Sequence, residues 1–509
     1  MSNQIGRLMA YHEEMHRVLH KESPEACLPV YAQMVDVLRG RGMRNAFDGG
    51  ELAAVVYISF LKFLSDRKEI LGIQCSDNFQ YAALCRLYPE VIGQQDILRY
   101  LMDVEEQLRL SHGILGGLLF PRQGREFDDT FRAALEVGQF LDFTTDAYMK
   151  AHVDALLVFI EKLAASKGKA GGISYTPGVI SNLMNGLLQI RDGMSLYDPC
   201  AGVGLLLAQV MKGKDIGIFA QEIHNSTAAI LEMLLVMNGA RHGRISCNDS
   251  AWNPLSYEMN MKYDRVICDP PYVKPEAGYR NIINSQLMDH ILYYPEEKIE
   301  DPWIFVRHIV ASLKPDGRAV VILPMSMMTR EGAAGRMRQR LIEDGYIDSV
   351  IELPPGAYPF TSIKTSILVI ERDKPQHDVF FLDLSKGQWD GKSDCDNSYI
   401  DMVNEHKEVE GTSALIQCEE LMKNGFQLVA GRYIEQPIDM EQFISDSTKL
   451  YESARSMEEK FRNLCDDFNA ELEEYNGYLN EGGMEDMSER IAMMNLQKMS
   501  GCFRGLNSI

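Results

Sequence analysis

The tetrapeptide Asp269-Pro270-Pro271-Tyr272 follows the apolar run Arg265–Cys268, which reads as a strand. Two successive prolines fix φ and remove two amide donors, so the main-chain carbonyls and the Asp269 carboxylate can only accept hydrogen bonds, beside the ring of Tyr272. Acceptors next to a stacking platform suit a planar amino group. Alone, the tetrapeptide could equally be a proline-rich surface turn.

Upstream, SLYDPCAGVGLLLAQV ends a strand at Asp198, bends at Gly202 and Gly204, and starts an apolar helix at once, a turn in which backbone can approach a ligand closely. The dinucleotide fingerprint wants a third glycine at 207, where this chain has Leu207. That argues for an adenosine-bearing ligand smaller than a pyrophosphate. The next strand ends at Glu222, close to the roughly 20-residue offset at which a carboxylate reaches ribose hydroxyls. A third ends in Cys247-Asn248-Asp249, putting another carboxylate at the same edge, placed to bind an adenine amino group or simply to cap the following turn. Three carboxylates on three successive strand ends would form one pocket.

These residues need a sheet to align them. Short apolar runs at Met194–Tyr197, Ile216–Ala220, Ile245–Cys247, Arg265–Cys268, Ala319–Leu323, Ser349–Glu352 and Ser366–Glu371 read as strands. Helical stretches fit between them at Val203–Met211, Ser226–Met237, Pro302–Leu313 and Gly335–Glu343. The alternation implies an α/β domain over 173–385 with a parallel sheet covered on both faces. The last two strands could instead form an antiparallel pair at one edge. Before it, residues 1–165 read as an all-α domain, with Leu52, Val55, Val56, Ser59, Phe60, Phe63 and Leu64 on one stripe and the polar stretch Ser166–Gly172 as a hinge. Residues 386–509 read as irregular and then helical. There Leu450, Ala454, Met457, Phe461, Leu464 and Phe468 make a heptad-like seam for packing on the chain itself or on a partner protein.

Composition bounds the function. With 46% hydrophobic and 24% charged residues the chain is neither disordered nor fibrous. It has no run of about 18 apolar residues, and MSNQIGRLMAYHEEMH lacks an apolar signal core, so no membrane association, no secretion and a cytoplasmic location are expected. The 10 cysteines include no C-x-x-C pair, which argues for reduced core thiols and against a zinc ribbon. No metal is expected. The match to H-E-x-x-H at His12–His16 has no evident domain before it to enclose an ion, and Gly387–Ser393 is one residue short of a phosphate loop. A net charge of −22 repels a polyanion, so a nucleic-acid substrate would have to be held by local basic patches or a basic partner. Arg330, Arg336, Arg338 and Arg340 form one basic group and Arg39, Arg41 and Arg44 another, both read by default as solvent-exposed.

With D-P-P-Y after one strand and D-P-x-A-G-x-G after another, the chain resembles the N6-adenine DNA methyltransferases that use S-adenosylmethionine. It is more similar still to the modification (M) subunits of type I restriction-modification systems. That likeness rests on ELAAVVYISFLKFLSDRKE, GGISYTPGVISNLMNGLL, QEIHNSTAAILEMLLVMNGA, LKPDGRAVVILPMSMM and VIELPPGAYPFTSIKTSILVI, in the family's order, over most of residues 40–385. At 269 the family usually has Asn, at 272 often Phe, and its glycine turn usually reads Gly-Thr-Gly-Gly. The resemblance implies a Rossmann-like methyltransferase sheet and S-adenosylmethionine as cofactor. It implies that Tyr175, Thr176 and Pro177 close over the methionine end, with Asp198 at its amino group and Glu222 on the ribose. A target adenine would be flipped out of double-stranded DNA and stacked on Tyr272, with its exocyclic amine hydrogen-bonded to Asp269 and the Pro270 carbonyl. Sequence recognition would belong to a DNA-specificity subunit, with a restriction subunit and a second copy of this chain as further partners. Two other functions are consistent with such a site: methylation of a protein glutamine amide, and a non-catalytic cofactor-binding role within a defence complex.

Overall fold

The structure, a computed structural model, describes residues 22–40, 50–117, 125–167, 175–240, 243–251, 253–271, 303–358, 363–386, 389–435 and 440–480. Among them one sheet contains β1 (Ser195–Asp198), β2 (Gly217–Gln221), β3 (Gly243–Ser246), β4 (Tyr263–Cys268), β5 (Leu313–Pro324), β6 (Ile347–Glu352), β7 (Thr365–Glu371), β8 (Val379–Asp383) and β9 (Ser413–Ile416). Their spatial order is β3-β2-β1-β4-β5-β7-β6-β8-β9. The first five are mutually parallel. β7 runs antiparallel between β5 and β6, β8 is parallel to β6, and β9 is antiparallel to β8. Because β1 lies between β2 and β4, the chain leaves it in one direction and later returns on its other side. A crevice opens outside the carboxyl ends of the strands at such a switch point.

Side chains alternate across the sheet, and each face has its own core. Val266 and Val321 pack with Trp303, Val306 and Val310 of the helix Trp303–Ser312. Their neighbours Ile267 and Ile322 belong to the opposite face, with Leu183 and Leu187 of the helix Gly178–Leu188. Helices on both faces explain why β1, β6 and β8 are buried at every position, polar residues such as Asp348 and Ser349 included.

Three expectations change. β6 and β7 take the alternative, antiparallel arrangement, but they are not an edge: β8 and β9 extend the sheet past 385, to Ile416. The helix Gly50–Leu71 is buried nearly all round, Ala53, Ala54, Tyr57, Ile58 and Leu61 included, rather than along one stripe. One side meets the other N-terminal helices, and the other meets Ala229, Ile230, Met233 and Leu234 of the helix Asn225–Met237. Burying each Leu, Ile, Val or Phe is worth about 1.5–3 kcal/mol, so this shared core ties the helical region to the sheet as one body. The compact units are accordingly Met1–Gln436 and Pro437–Ile509, with no division at 166–172 or 385.

In the second unit the helix Met440–Asn480 carries the seam, and Leu450, Met457, Phe461, Leu464 and Phe468 are exposed along it. Among the described residues no helix is long and apolar enough to cross a membrane. The histidines at 12 and 16, Arg41, Arg44, Tyr272, Gly387 and the expected hinge from 168 onward lie outside the described residues.

Candidate active site

β1 delivers Asp198 to the crevice, and the chain must then bend into the helix Leu205–Val210. Gly202 and Gly204 make that bend with φ of 56° and 88°, a region L side chains rarely adopt. A Cβ on residue 204 would lie 2.5 Å from Leu231 Cδ1, so glycine lets the turn press against the helix Asn225–Met237. The turn folds back on Asp198, whose Oδ1 accepts the Cys200 N–H at 2.9 Å.

The neighbouring strands add their carboxylates at the same edge. Past β2, Glu222 Oε1 accepts the His224 N–H at 2.9 Å. Past β3, Asp249 Oδ1 accepts the Ala251 N–H at 3.0 Å, so this residue does cap the next turn while also bordering the crevice. Past β4, Oδ2 of Asp269 accepts two hydroxyl protons, from Thr176 Oγ1 and from the Tyr358 phenol, each at 2.7 Å.

The result is a single cleft of about 370 Å³ bordered by Tyr175, Thr176, Asp198, Gly202, Gly204, Glu222, Asp249, Asp269 and Pro271. The other expected residues fall elsewhere. Pro177 is the N-cap of the helix Gly178–Leu188 and does not border the cleft, because it sits where the loop turns into that helix. Pro270 is buried and does not border the cleft. Tyr272 lies outside the described residues.

Electrostatics single out Asp198, which is 1% exposed. Burial, and then the charges of Asp269 and Glu222, push its carboxyl up to about 8. Water is excluded and like charges converge, so a cation in the cleft would be strongly favoured over the bare carboxylate. Burial also pushes the Cys200 and Cys268 thiols up, which leaves neither poised as a thiolate nucleophile. Beneath the cleft, Gln221 fixes the end of β2. It accepts from the Tyr197 phenol and the Leu255 N–H, and donates to the Asn253 carbonyl at 3.0 Å.

Ile223, Phe305 and Tyr358 are part of the site but were not legible in the sequence. Ile223 borders the cleft with 55% of its surface exposed, an apolar wall beside Glu222. Its signal was an apolar residue directly after a strand-terminal acid. Phe305 faces the cleft from the helix Trp303–Ser312. Tyr358 reaches Asp269 across 89 residues, and no local spacing announces that. The basic groups resolve differently. Arg338 is buried and donates to the carbonyls of Phe426, Met327 and Arg330, a structural role, whereas Arg330, Arg336 and Arg340 are exposed. Arg39 is paired with Glu51 at 3.0 Å.

Comparison with known proteins bears on the family and the fold. Residues 152–442, more than half of the chain, match the N-6 DNA Methylase family model. The type I restriction enzyme MpnII methylase subunit of Mycoplasma pneumoniae is 24% identical over 370 residues, covering 67% of each chain. The MjaVIII methylase subunit of Methanocaldococcus jannaschii is 22% identical over 351 residues, covering 64% of this chain and 60% of its own length. The crystal structure of a type I restriction-modification system methyltransferase subunit from Streptococcus thermophilus shares the fold, with a TM-score of 0.68 and 21% identity over 81% of this chain and 100% of that one. The glycine bend at 202–204, the carboxylates at the ends of β1, β2 and β4, and the extent of the family match lead to one conclusion: the chain belongs to the N-6 DNA methylase family, and within it is similar to type I methylase subunits.

Proposed function

We propose that this chain transfers the methyl group of S-adenosylmethionine to N6 of an adenine extruded from double-stranded DNA, as the modification subunit of a type I restriction-modification complex. One observation carries the reading: Asp198 and Glu222 open onto the same cleft as Asp269, at the switch point between β1 and β4. The residues present fit the cofactor. Asp198, buried among other carboxylates, would hold its ammonium; Glu222 would bind the ribose hydroxyls; Ile223 would wall the adenine, with Asp249 accepting from its amino group. When bound, S-adenosylmethionine supplies a methyl group made electrophilic by the sulfonium.

Asp269 and the Pro270 carbonyl would accept the two N6–H bonds of the target base. The adenine amine is a poor nucleophile because its lone pair is delocalised into the ring. Acceptors on both hydrogens favour a localised pair and stabilise the positive charge that develops on nitrogen. The prolines at 270 and 271 present no amide proton that could occupy that pair. Tyr272 would stack on the extruded base, whose unstacking costs a few kcal/mol. At a net charge of −22, most phosphate contacts would come from a DNA-specificity subunit, with a restriction subunit and a second copy of this chain as further members.

The test is labelled-methyl transfer by the chain co-expressed with its genomic neighbours, offered unmodified duplex DNA in one arm and a protein lysate in the other. Label in DNA that is abolished by Asp269→Ala supports the reading. Label on protein glutamine, or methylation of DNA that survives Asp269→Ala, overturns it.

A further inference from the structure

Asp269 is gripped from two sides. Thr176 precedes the helix Gly178–Leu188, Tyr358 lies in the loop between β6 and β7, and both hydroxyls converge on the same carboxylate oxygen, Oδ2, at 2.7 Å. Thr176 is buried, and Asp269 and Tyr358 are half-buried. Hydrogen bonds to an ionised group are short and strong, and two on one oxygen restrain both side-chain torsions of the aspartate. Each hydroxyl also has a single proton. With that proton given to Oδ2, Thr176 and Tyr358 face any third group with lone pairs alone. This matters for an amine nucleophile, because a hydroxyl proton directed at its nitrogen would occupy the electron pair that has to attack.

We propose that Thr176 and Tyr358 are positioning residues, locking the Asp269 carboxylate in its receiving orientation and keeping their own protons turned away from the incoming amine. The proposal rests on the reading of Asp269 as the acceptor of an exocyclic amine. Thr176 thereby acts on the acceptor carboxylate rather than on the cofactor, and Tyr358 gains a role that the sequence did not suggest.

The experiment uses the chain assembled with its specificity partner. It measures single-turnover methyl transfer to unmodified duplex DNA, KM for that DNA, and calorimetric binding of S-adenosylmethionine. Tyr358→Phe, which keeps the ring, should slow transfer roughly ten- to a hundredfold, while cofactor affinity and KM stay within about threefold. Thr176→Val should do the same, and Thr176→Ser should restore the rate to within about threefold of wild type. Should Tyr358→Phe fail to fold, the Thr176 pair decides alone. Transfer within twofold of wild type in both hydroxyl-deleted variants overturns the proposal and leaves the site reading standing. So does a rate loss matched by an equal loss of cofactor affinity. A wild-type complex that binds cofactor yet methylates no DNA overturns the site reading and this proposal with it.

Discussion

Cofactor uptake should expel a proton. Asp198 lies at the buried end of the cleft with its carboxyl pushed up to about 8, so at pH 7 only about one molecule in ten has it ionised. Holding the ammonium of S-adenosylmethionine requires the carboxylate. Between pH 6 and 7 each binding event must then release close to one proton, and the apparent Kd should fall about tenfold per pH unit over that range. Above about 8, where an α-amino group begins to lose its own proton, the gain stops. The sign for stability is the opposite. A carboxyl raised on folding contributes stability that is complete below its unfolded value, near 4, and is lost as pH rises through about 8. The cofactor-free protein should therefore melt at progressively lower temperature from pH 5 to pH 8, and cofactor should recover most where the loss is greatest.

The assay is calorimetry at pH 6.5 in two buffers of very different ionisation enthalpy, which counts protons directly, alongside Kd values from pH 6 to 8.5. Asp198→Asn removes the titrating group. It should flatten the pH profile and weaken binding roughly a hundredfold at pH 8, because a buried cation then loses its partner. A Kd constant within threefold from pH 6 to 8, with no buffer dependence of the enthalpy, would refute the assignment of Asp198 to the ammonium.

Three further outcomes follow from particular residues. Asp269→Ala should lower transfer by roughly a thousandfold or more. Asp269→Asn should stay within about tenfold of wild type, because the Thr176 and Tyr358 hydroxyls can turn from donors into acceptors of the amide N–H and leave its oxygen for the amine; a rate as low as that of Asp269→Ala would contradict this. Glu232, 3% exposed and pushed up to about 8 by burial and then by Glu105, accepts the Ser111 N–H at 3.1 Å. Glu232→Gln keeps that acceptor without the charge, so its melting advantage over wild type should grow from pH 5 to pH 8.5, reaching roughly 2 °C or more; a gain independent of pH would count against it. At Gly243, with φ of 144°, a Cβ would fall 1.6 Å from the Ile218 carbonyl oxygen. Gly243→Ala should therefore detach the edge strand β3 and cost roughly 3 kcal/mol or more in denaturant unfolding, and a loss under 1 kcal/mol would show that the strand shifts freely.

What the sequence revealed of this site was whatever one strand and its own end determine. Asp198, Glu222, Asp249 and Asp269 each close an apolar run, and parallel strands bring their carboxyl ends to one edge, so a common cleft followed from element type alone. β8 and β9 escaped because VFFLD and SALI are only five and four residues long, set in irregular sequence, and gain their identity as strands by pairing with β6 and with each other. The all-round burial of Gly50–Leu71 escaped because Ala53, Ala54 and Tyr57 are weak hydrophobic signals, and because part of the core that covers this helix comes from the distant helix Asn225–Met237.

Tyr358 illustrates the same limit at the site itself. β7 enters the sheet antiparallel beside β5, with Thr365 opposite Pro324 at the carboxyl edge. The loop between β6 and β7 must therefore begin and end at that edge, two strands away from β4. Reversing one strand is what swings a phenol from a Pro-Gly loop onto Asp269, and no residue-by-residue spacing encodes that reversal. If β7 were instead parallel, the loop would close at the opposite edge of the sheet and Asp269 would lose one of its two hydroxyl partners. The acceptor carboxylate is thus held by the topology of the sheet as much as by the strand that carries it.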